Sequence, residues 1–575
     1  MRRPLLILAV LTLLGTLLAG AGLWLARRGG GPSLLGGDRL LTLVLDGPLE
    51  DYAEQVPFTW PGERPAPTLA ALWRGFAAAR SDASVKGVAL RIVDADFGFA
   101  KAAELRRQIA ATAAAGKLVA CYLDTAGEGG NGTLEYFVAS ACPSVALAPA
   151  GELNLLGLWS DALFVRGSLD KLRVEPSFLT AGKYKSAAEI FTERAHSPAA
   201  REALVAVLDG YFRQLLAGIA EDRELERDAV AALIDRAPLS ADDARAAGLV
   251  DALEYPDQFE SRLEQLAGGE LAREDLLDYA RRRAAPARGG RRIAVLFARG
   301  TLVRGASGFD PWSGESFVGA ESLSEQLREL AEDDAVAAVV LRVDSPGGSA
   351  LASDLVQRRL ELTVAAKPVV VSMSDVAASG GYYIAARASR IVAEPGTLTG
   401  SIGVVTGKLA TGRFQEETLG ATHDVLARGA HAGLYSTLRP FDEAERELVA
   451  RRVDDVYQRF VGHVAAGRKL TRERVHELGQ GRVWTGEDAL AVGLVDELGG
   501  LDAAVAAARA AAGLGAGEGR LELLPRPRTF LDWLGAAPPP PFSAELVALA
   551  RQLGPERPAF ALELPPGLVR LARPF

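Results

Sequence analysis

The feature that most constrains the fold is a long internal repeat, because the second half of the chain repeats the order of the first about 250 positions later. The run Val-Ala-Leu-Arg-Ile-Val-Asp at 88–94 returns as Val-Val-Leu-Arg-Val-Asp at 339–344. Likewise, Ala-Arg-Ala-Ala-Gly-Leu-Val-Asp at 244–251 returns as Ala-Leu-Ala-Val-Gly-Leu-Val-Asp at 489–496. This period is far too long for a solenoid. The repeat therefore predicts two homologous domains in one chain.

Short apolar runs alternate with helical segments in each half, which is typical of parallel beta-alpha units covered on both faces. In the first half, strands are predicted at 39–45, 85–93, 117–123 and 145–148, and helices at 68–80, 101–115 and 134–140. The second half repeats this order from the run at 292–298. The predicted fold class is α/β, with two tandem homologous domains built on parallel sheets.

The predicted domain boundaries follow from the repeat and from changes in composition. The first domain covers 38–257, a charged helical connector 258–291, and the second domain 292–524. The tail at 525–575 contains four consecutive prolines and has no counterpart in the first half, so no function is predicted for it.

Residues 1–28 carry a targeting or anchoring signal. An uncharged apolar run at 5–26 lies between two arginine pairs and is long enough to span a bilayer as a helix. A signal peptide cleaved after Ala19-Gly20-Ala21 is the alternative. The run continues past that site to Trp24 and the second arginine pair, which favours a retained transmembrane anchor.

Composition excludes several classes of function. A net charge of -9 and a pI near 5.4 give no electrostatic footprint for nucleic acid. The five histidines show no metal-ligand spacing, so we predict neither a metal site nor a cofactor. Cys121 falls inside a predicted strand and Cys142 at a helix end, and we expect two unpaired, small apolar residues rather than a disulfide.

The stretch at 376–383, Val-Ala-Ala-Ser-Gly-Gly-Tyr-Tyr, predicts a strand, a tight glycine turn and then a helix. A small polar side chain at such a turn lies where free backbone N–H groups favour developing negative charge. Ser379 is therefore placed like a nucleophile. From these eight residues alone, a serine that merely caps the helix is an equally good interpretation.

Alignment of the two halves shows that each half lacks a candidate catalytic residue that the other half has. Thr133-Leu-Glu stands where the second half has Ser379-Gly-Gly, and Ala432 stands where the first half has Lys185. Lysine is the minority base in this chain, with 9 among the 64 Lys and Arg residues, and only lysine can serve as a neutral general base. One site shared between the two halves explains both losses more economically than independent drift.

Three motifs now make the chain resemble the long, duplicated form of the serine-lysine peptidases of family S49. They are Gly-Lys-Tyr-Lys-Ser-Ala at 182–187, Asp-Ser-Pro-Gly-Gly at 344–348, and Ala-Ser-Gly-Gly-Tyr at 378–382 followed by Gly-Thr-Leu-Thr-Gly-Ser-Ile-Gly at 396–403. The resemblance covers roughly residues 38–510. It implies a Clp-protease-like or crotonase-like fold and a homotetramer.

The resemblance also implies an activity and a location. Such a protein would be a serine endopeptidase held in the bacterial inner membrane by one transmembrane helix, with its catalytic domains on the periplasmic side. Its substrates would be hydrophobic signal peptides left in the membrane after secretion.

Carried over by position, Ser379 would be the nucleophile and Lys185 the general base. A lysine can deprotonate a serine only when burial lowers its pKa toward the working pH. Lys183 is the alternative base, although the family places its lysine directly before Ser-Ala, which selects Lys185.

The remaining roles also come from the resemblance. Gly380 would donate one oxyanion N–H, and either Gly347 or Gly348 would donate the other. Ser401 would orient the lysine.

Three other polar residues, Lys408, Asp375 and His431, have no role assigned, and we expect solvated or turn residues at all three positions.

Two other functions remain open on the sequence. One is a crotonase-type enzyme that acts on acyl thioesters through the same kind of glycine oxyanion hole. The other is a non-catalytic membrane scaffold, against which the retention of Ser379 and Lys185 on opposite halves argues.

Overall fold

The computed structural model describes residues 38–52, 66–283, 290–310, 315–525 and the residue pair 561–562. Below, the first half means residues 38–283 and the second half 290–525. The predicted anchor in residues 1–28 lies outside the described residues.

The first half is built on a parallel six-stranded sheet with the order β8-β4-β3-β2-β1-β9. A separate two-stranded sheet pairs β5 with β7. The strands are β1 Arg39–Pro48, β2 Val85–Asp96, β3 Leu118–Leu123, β4 Ser144–Leu147, β5 Glu152–Leu153, β6 Glu175–Ala181, β7 Leu239–Ser240, β8 Ala252–Leu253 and β9 Ala272–Asp275.

The second half repeats this arrangement. Its strands β21-β17-β16-β14-β10-β22 are all parallel and lie in the same order as their counterparts in the first half, and β18 and β20 extend the sheet from β16. The strands are β10 Arg292–Arg299, β11 Thr301–Val303, β12 Gly308–Asp310, β13 Glu315–Gly319, β14 Val336–Ser345, β15 Gly348–Ser349, β16 Val369–Ala378, β17 Arg390–Ala393, β18 Leu398–Gly400, β19 Val404–Ala410, β20 Val483–Thr485, β21 Glu497–Leu498, β22 Arg520–Leu524 and β23 Ala561–Leu562. The predicted fold class, with two homologous parallel-sheet domains, is confirmed.

Helices cover both faces of the parallel sheets, as buried strands require. In the first half they are α1 Leu69–Ser81, α2 Phe99–Ala114, α3 Thr133–Ser140, α4 Arg166–Lys171, α5 Glu189–Thr192, α6 Pro198–Arg223, α7 Arg227–Arg236, α8 Ala241–Ala246, α9 Pro256–Ala267 and α10 Leu276–Arg283. In the second half they are α11 Ala320–Glu332, α12 Ala350–Ala366, α13 Gly380–Ala385, α14 Glu443–Arg468, α15 Arg472–Leu478, α16 Gly486–Ala491 and α17 Leu501–Ala511, with one π-helical turn at Phe414–Thr418.

A third sheet joins the two halves. Its order is β12-β13-β11-β15-β23-β19-β6, so β6 of the first half lies among strands of the second. β6 and β19 run antiparallel, with Ala181 opposite Val404 and Glu175 opposite Ala410. The core is also shared, because Val376 and Ala378 of β16 pack in the hydrophobic cluster of the first half.

Among the described residues, one helix, α6, is long and apolar enough to cross a membrane by length and composition. Its residues Val207, Tyr211, Leu215 and Ile219 are buried within the first-half core. The helix thus has the contacts of a core helix.

The expectation of two unpaired cysteines is wrong, because Cys121 and Cys142 form a disulfide with Cα atoms 5.8 Å apart. Cys121 lies on β3, and α3 returns the chain to β4, which pairs beside β3 with Cys121 opposite Val145. Cys142 precedes β4 and is thereby brought against β3. Contacts of this kind depend on the strand order, which the spacing of the cysteines does not reveal.

Replacing Cys142 with Ala should lower the free energy of unfolding by about 3 kcal/mol, because the bond spans a sequence separation of 21 residues. Denaturant titration of the parent and the variant without reductant measures the difference. The same titration with reductant is the control and should bring the two curves together. Equal unfolding midpoints without reductant would contradict the prediction.

Candidate active site

Lys185 reaches the second half because of the strand that precedes it. β6 ends at Ala181, which lies opposite Val404 at the start of β19. The segment 182–186 therefore leaves β6 beside the residues that lead into β19, and these include Ser401. The pairing of β6 with β19 thus carries a lysine of the first half to the edge of the second-half sheet.

A tight turn at Gln480-Gly481-Arg482 fixes the lysine segment in place. The Gln480 carbonyl accepts the Tyr184 N–H at 2.8 Å, and the Arg482 carbonyl accepts the Ser401 N–H at 2.7 Å. Gly481 has φ +80°, and a Cβ there would lie 2.5 Å from the Lys185 backbone nitrogen. The turn therefore contacts both the lysine segment and the Ser401 segment at backbone distance.

The Arg482 side chain strengthens the same turn. Its guanidinium lies 5.0 Å from the centre of the Tyr184 ring and 4.8 Å from that of Trp484, so it is held between two aromatic faces. Tyr184 directly precedes Lys185 in the chain, so this stack also restrains the lysine.

Ser379 lies at the junction between β16 and α13 and is fully buried. Its φ of 55° and ψ of -114° are unusual for a residue with a side chain, and such strain concentrates at functional sites. Its N–H donates to the Gly400 carbonyl at 2.8 Å, and its side chain makes no capping hydrogen bond to α13. The helix-capping interpretation of Ser379 is therefore wrong.

Lys185 and Ser379 are in direct contact. The lysine Nζ lies 2.7 Å from Ser379 Oγ, 3.1 Å from Ser401 Oγ and 3.4 Å from the Ser401 carbonyl oxygen. Only 3% of Lys185 is exposed, and both serines are fully buried. An amine, a hydroxyl and a second hydroxyl from different parts of the chain thus form one compact hydrogen-bonded group.

Lys183 is not part of this group. It is exposed, and its Nζ lies 4.7 Å from the centre of the Tyr184 ring. Of the two lysines in the Gly-Lys-Tyr-Lys-Ser-Ala motif, the geometry brings Lys185 to the serine.

The predicted oxyanion glycines lie next to one another. A Cβ added to Gly380 would be 3.1 Å from Gly347 Cα and 3.2 Å from Gly348 N. The Gly347 N–H donates to Ser345 Oγ at 3.2 Å, so this donor is already engaged. The turn after β14 and the start of α13 therefore face each other directly beside Ser379.

A short strand occupies the space between this turn and β19. The backbone of β23 pairs antiparallel with β15, placing Leu562 opposite Gly348, and with β19, placing Ala561 opposite Val405. Extended backbone therefore fits between the glycine turn and the strand that follows Ser401.

The corresponding place in the first half is closed. Thr133 Oγ1 donates to the Gly157 carbonyl at 3.2 Å and accepts the Gly157 N–H at 3.0 Å. Glu135 accepts the N–H groups of Gly127, at 2.6 Å, and of Ala95, at 3.3 Å. The Glu135 carboxyl group thus binds backbone N–H donors beside the place where a nucleophile would lie. Burial raises the pKa of Glu135.

Asp375 and Lys408 do not fit the expectation of solvated or turn residues, because Asp375 is buried and Lys408 is a half-buried strand residue. Asp375 is buried and accepts the N–H groups of Gly98, Ala100 and Lys101, while Lys408 donates to the carbonyls of Leu434 and Ser436. Burial lowers the pKa of Lys408. His431 is exposed in a turn, as expected. The expectations for Asp375 and Lys408 were wrong because the hydrogen-bond partners of these side chains are distant in sequence or lie on another element.

Sequence reasoning also missed Gln480-Gly481-Arg482 and Lys101, whose Nζ contacts Asp344 at 2.9 Å. The run Gly-Gln-Gly-Arg-Val-Trp-Thr-Gly at 479–486 contains three glycines, and this could have singled out the turn. The scarcity of lysine in this chain is the sequence feature that could have singled out Lys101.

Replacing Gly481 with Ala should lower the rate at which Ser379 reacts with a phosphonate by roughly 100-fold, because the new methyl group would displace the Lys185 backbone. Gly493→Ala is the matched control, since Gly493 has φ +82° with nothing within 4 Å of an added Cβ. Each substitution should cost about 1–2 kcal/mol of stability through its positive φ. Similar labelling rates in the two variants would contradict the role of the turn.

Comparison with known proteins gives a family model that matches two regions of the chain. The model of peptidase family S49 matches residues 113–270 and 361–515, which together make up more than half of the chain. The chain is 35% identical over 450 residues to "Serine protease SPPA, chloroplastic" of Arabidopsis thaliana, covering 77% of this chain and 65% of that protein. It is 36% identical over 388 residues to "Protease 4" of Salmonella typhi, covering 65% of this chain and 61% of that protein.

In each case the matched region spans less than two thirds of the relative's length. A solved structure of a ClpP1 mutant from Listeria monocytogenes aligns with 37% of this chain and 94% of its own, at 15% identity and a TM-score of 0.25. The two matched regions fall in the two halves that share the strand order described above. This chain belongs to peptidase family S49.

Proposed function

We propose that this chain is a serine endopeptidase whose catalytic pair, Ser379 and Lys185, is completed between its two halves. The observation that carries the proposal is the 2.7 Å contact between Lys185 Nζ and Ser379 Oγ. Serine hydroxyls are weak nucleophiles and need an adjacent base, and this contact supplies one. The family assignment supports the same chemistry.

In the proposed mechanism, neutral Lys185 takes the proton from the Ser379 hydroxyl as Oγ attacks the peptide carbonyl carbon. The three oxygen contacts of Lys185 described above are to uncharged groups, which suits an amine that must be neutral to act. Ser401 accepts lysine N–H bonds through Oγ and its carbonyl, and so directs the nitrogen lone pair toward Ser379. Ser401 is thus a positioning residue.

The tetrahedral intermediate carries a negative oxygen that needs donors. We assign these to the N–H groups of Gly380 and Gly348, since the Gly347 N–H is donated to Ser345. The lysine then returns its proton to the leaving amine, and an ester remains on Ser379 Oγ. Lys185 next takes a proton from water as the water oxygen attacks the ester carbonyl carbon. The bond to Ser379 Oγ then breaks, Lys185 returns the proton to that oxygen, and the second peptide fragment leaves as its carboxylic acid.

The substrate would bind as a strand between β15 and β19, in the place that β23 occupies and in exchange for it. The pairing of β23 with these two strands supports this mode, because main-chain hydrogen bonds there bind extended peptides without regard to sequence. Strand residues beside this space are apolar, since Val405 pairs with Ala561 and Leu302 pairs with Gly348. Hydrophobic signal peptides are the substrate class we propose.

The proposed location is the bacterial inner membrane, with residues 1–28 as a single-pass anchor and the two domains on the periplasmic side. The Cys121–Cys142 disulfide supports this side, because disulfides persist in oxidising compartments. We also propose a homotetramer, and the exposure of Trp159 and Leu163 is consistent with a contact between subunits.

Ser379→Ala and Lys185→Met should each lower hydrolysis of a hydrophobic peptide by roughly 10³-fold or more, since each removes one partner of the proton transfer. Lys185→Arg should be as damaging, because a guanidinium cannot accept the proton. Steady-state kinetics on the purified full chain measures all three variants.

Thr133→Ala and Lys183→Met are the matched controls, one at the position aligned with Ser379 and one two residues from Lys185, and both should retain activity. A Ser379→Ala protein that still cleaves the peptide would overturn the proposal. An active Lys185→Arg protein would transfer the base to Lys183.

A further inference from the structure

Of the nine lysines in the chain, Lys101 and Lys185 are buried, and both belong to the first half. Lys185 contacts hydroxyl and carbonyl oxygens in the candidate active site. Lys101, in the first turn of α2, instead contacts two carboxylates of the second half. The two buried lysines thus have different surroundings.

Lys101 joins the ends of two strands. Its Nζ lies 2.9 Å from Asp344 Oδ2 on β14 and 3.4 Å from Asp375 Oδ2 on β16. Burial alone disfavours its charged form, but attraction by Asp344, Asp375 and Asp51 outweighs burial and raises the pKa of Lys101 well above its ordinary value. Lys101 therefore stays cationic and cannot serve as a base.

Asp375 also holds α2 directly. Its Oδ1 accepts the N–H groups of Ala100 and Lys101 at 3.0 and 3.1 Å, and its Oδ2 accepts that of Gly98 at 3.2 Å. A carboxylate of the second half thus caps a helix of the first.

These contacts surround an irregularity in the strand that carries the nucleophile. Along β14 and β16, Val343 lies opposite Met373 and Ser345 lies opposite Ala377, so three residues of β16 oppose the single residue Asp344. Asp344 Oδ1 accepts the Val376 N–H, at 3.2 Å, from within this bulge. Bulges bend a strand and redirect its side chains, and this one ends three residues before Ser379.

Asp344 also lies three residues before Gly347, in the strand that leads to the oxyanion turn. The Lys101–Asp344–Asp375 cluster therefore fixes the approach of both the nucleophile strand and the oxyanion turn.

Lys101 has no lysine as its counterpart in the second half. Asp94 is the first-half counterpart of Asp344, and Lys101 follows Asp94 by seven residues. Seven residues after Asp344 the second half has Leu351, which is half exposed. The asymmetry matches that of Lys185 and Ala432.

We propose that Lys101 is a positioning residue for Ser379, holding the Asp344–Val376 bulge so that Oγ meets Lys185 and the substrate carbonyl. The inference rests on the proposed function, because it names what orients the same nucleophile. A buried ion pair adds little net stability compared with apolar packing. Its contribution here is geometric, and the first half thus supplies both the base and the group that fixes the nucleophile strand.

The test compares full-length Lys101→Met with the parent by kcat, KM and the rate of phosphonate labelling of Ser379, each scaled to the native fraction from denaturant titration. We expect kcat and the labelling rate to fall at least tenfold, with KM within about twofold. Lys117→Met is the matched control, because the Lys117 Nζ binds the carbonyls of Asp82 and Val85 within the first half, and it should leave kcat unchanged.

A second variant separates positioning from the cost of an unpaired charge. Lys101→Met leaves the Asp344 carboxylate without its cationic partner. Combining it with Asp344→Asn removes the charge of that carboxylate and should recover the free energy of unfolding without recovering kcat. Where Lys101→Met alone fails to fold, this double variant decides. An unchanged kcat in Lys101→Met, or recovery of kcat together with stability in the double variant, would overturn the inference. A wrong proposed function would be recognised separately, because the Ser379→Ala protein would then still hydrolyse the peptide.

Discussion

The candidate site depends on the antiparallel pairing of β6 with β19, which carries a strand of the first half into a sheet of the second. Lys185 follows β6 and Ser401 precedes β19, so the register of this pairing sets the distance from the lysine nitrogen to both serines. A register shift of one residue would turn the neighbouring side chains to the opposite face. The Gln480-Gly481-Arg482 turn then holds both segments by backbone contact, which leaves the lysine little freedom.

The buried charges between the halves explain how the two halves give one rigid site. Arg342 of β14 donates to Asp51 and Glu104 of the first half, at 2.8 and 2.9 Å, alongside the contacts of Lys101 with Asp344 and Asp375. Leaving one such charge unpaired is costly, so the halves are held in a single relative position. The two halves carry different parts of the candidate site, and Glu135 fills the corresponding place in the first half.

The sequence was sufficient for the strands and the repeat, because these depend on local periodicity and on comparing two copies of one pattern. It also put forward Ser379 and Lys185 as a catalytic pair, and the fold brings their two side chains into contact. It was insufficient for the Cys121–Cys142 bond, the burial of Asp375 and the turn at 480–482. Each of these depends on which strands are neighbours, and Asp375 binds α2 nearly 280 residues away in the chain. The resemblance selected Lys185 over Lys183, and the fold agrees, since Lys185 contacts Ser379 and Lys183 is exposed.

In the proposed catalytic site, the lysine and the serine belong to one chain. Co-expression of differently tagged Lys185→Met and Ser379→Ala chains, followed by purification of assemblies that carry both tags, tests it most directly. The mixed assemblies should hydrolyse peptide no faster than either variant alone, because the 2.7 Å contact joins residues of the same chain. Recovery of a substantial fraction of parent activity would contradict it, since the base would then come from a neighbouring chain.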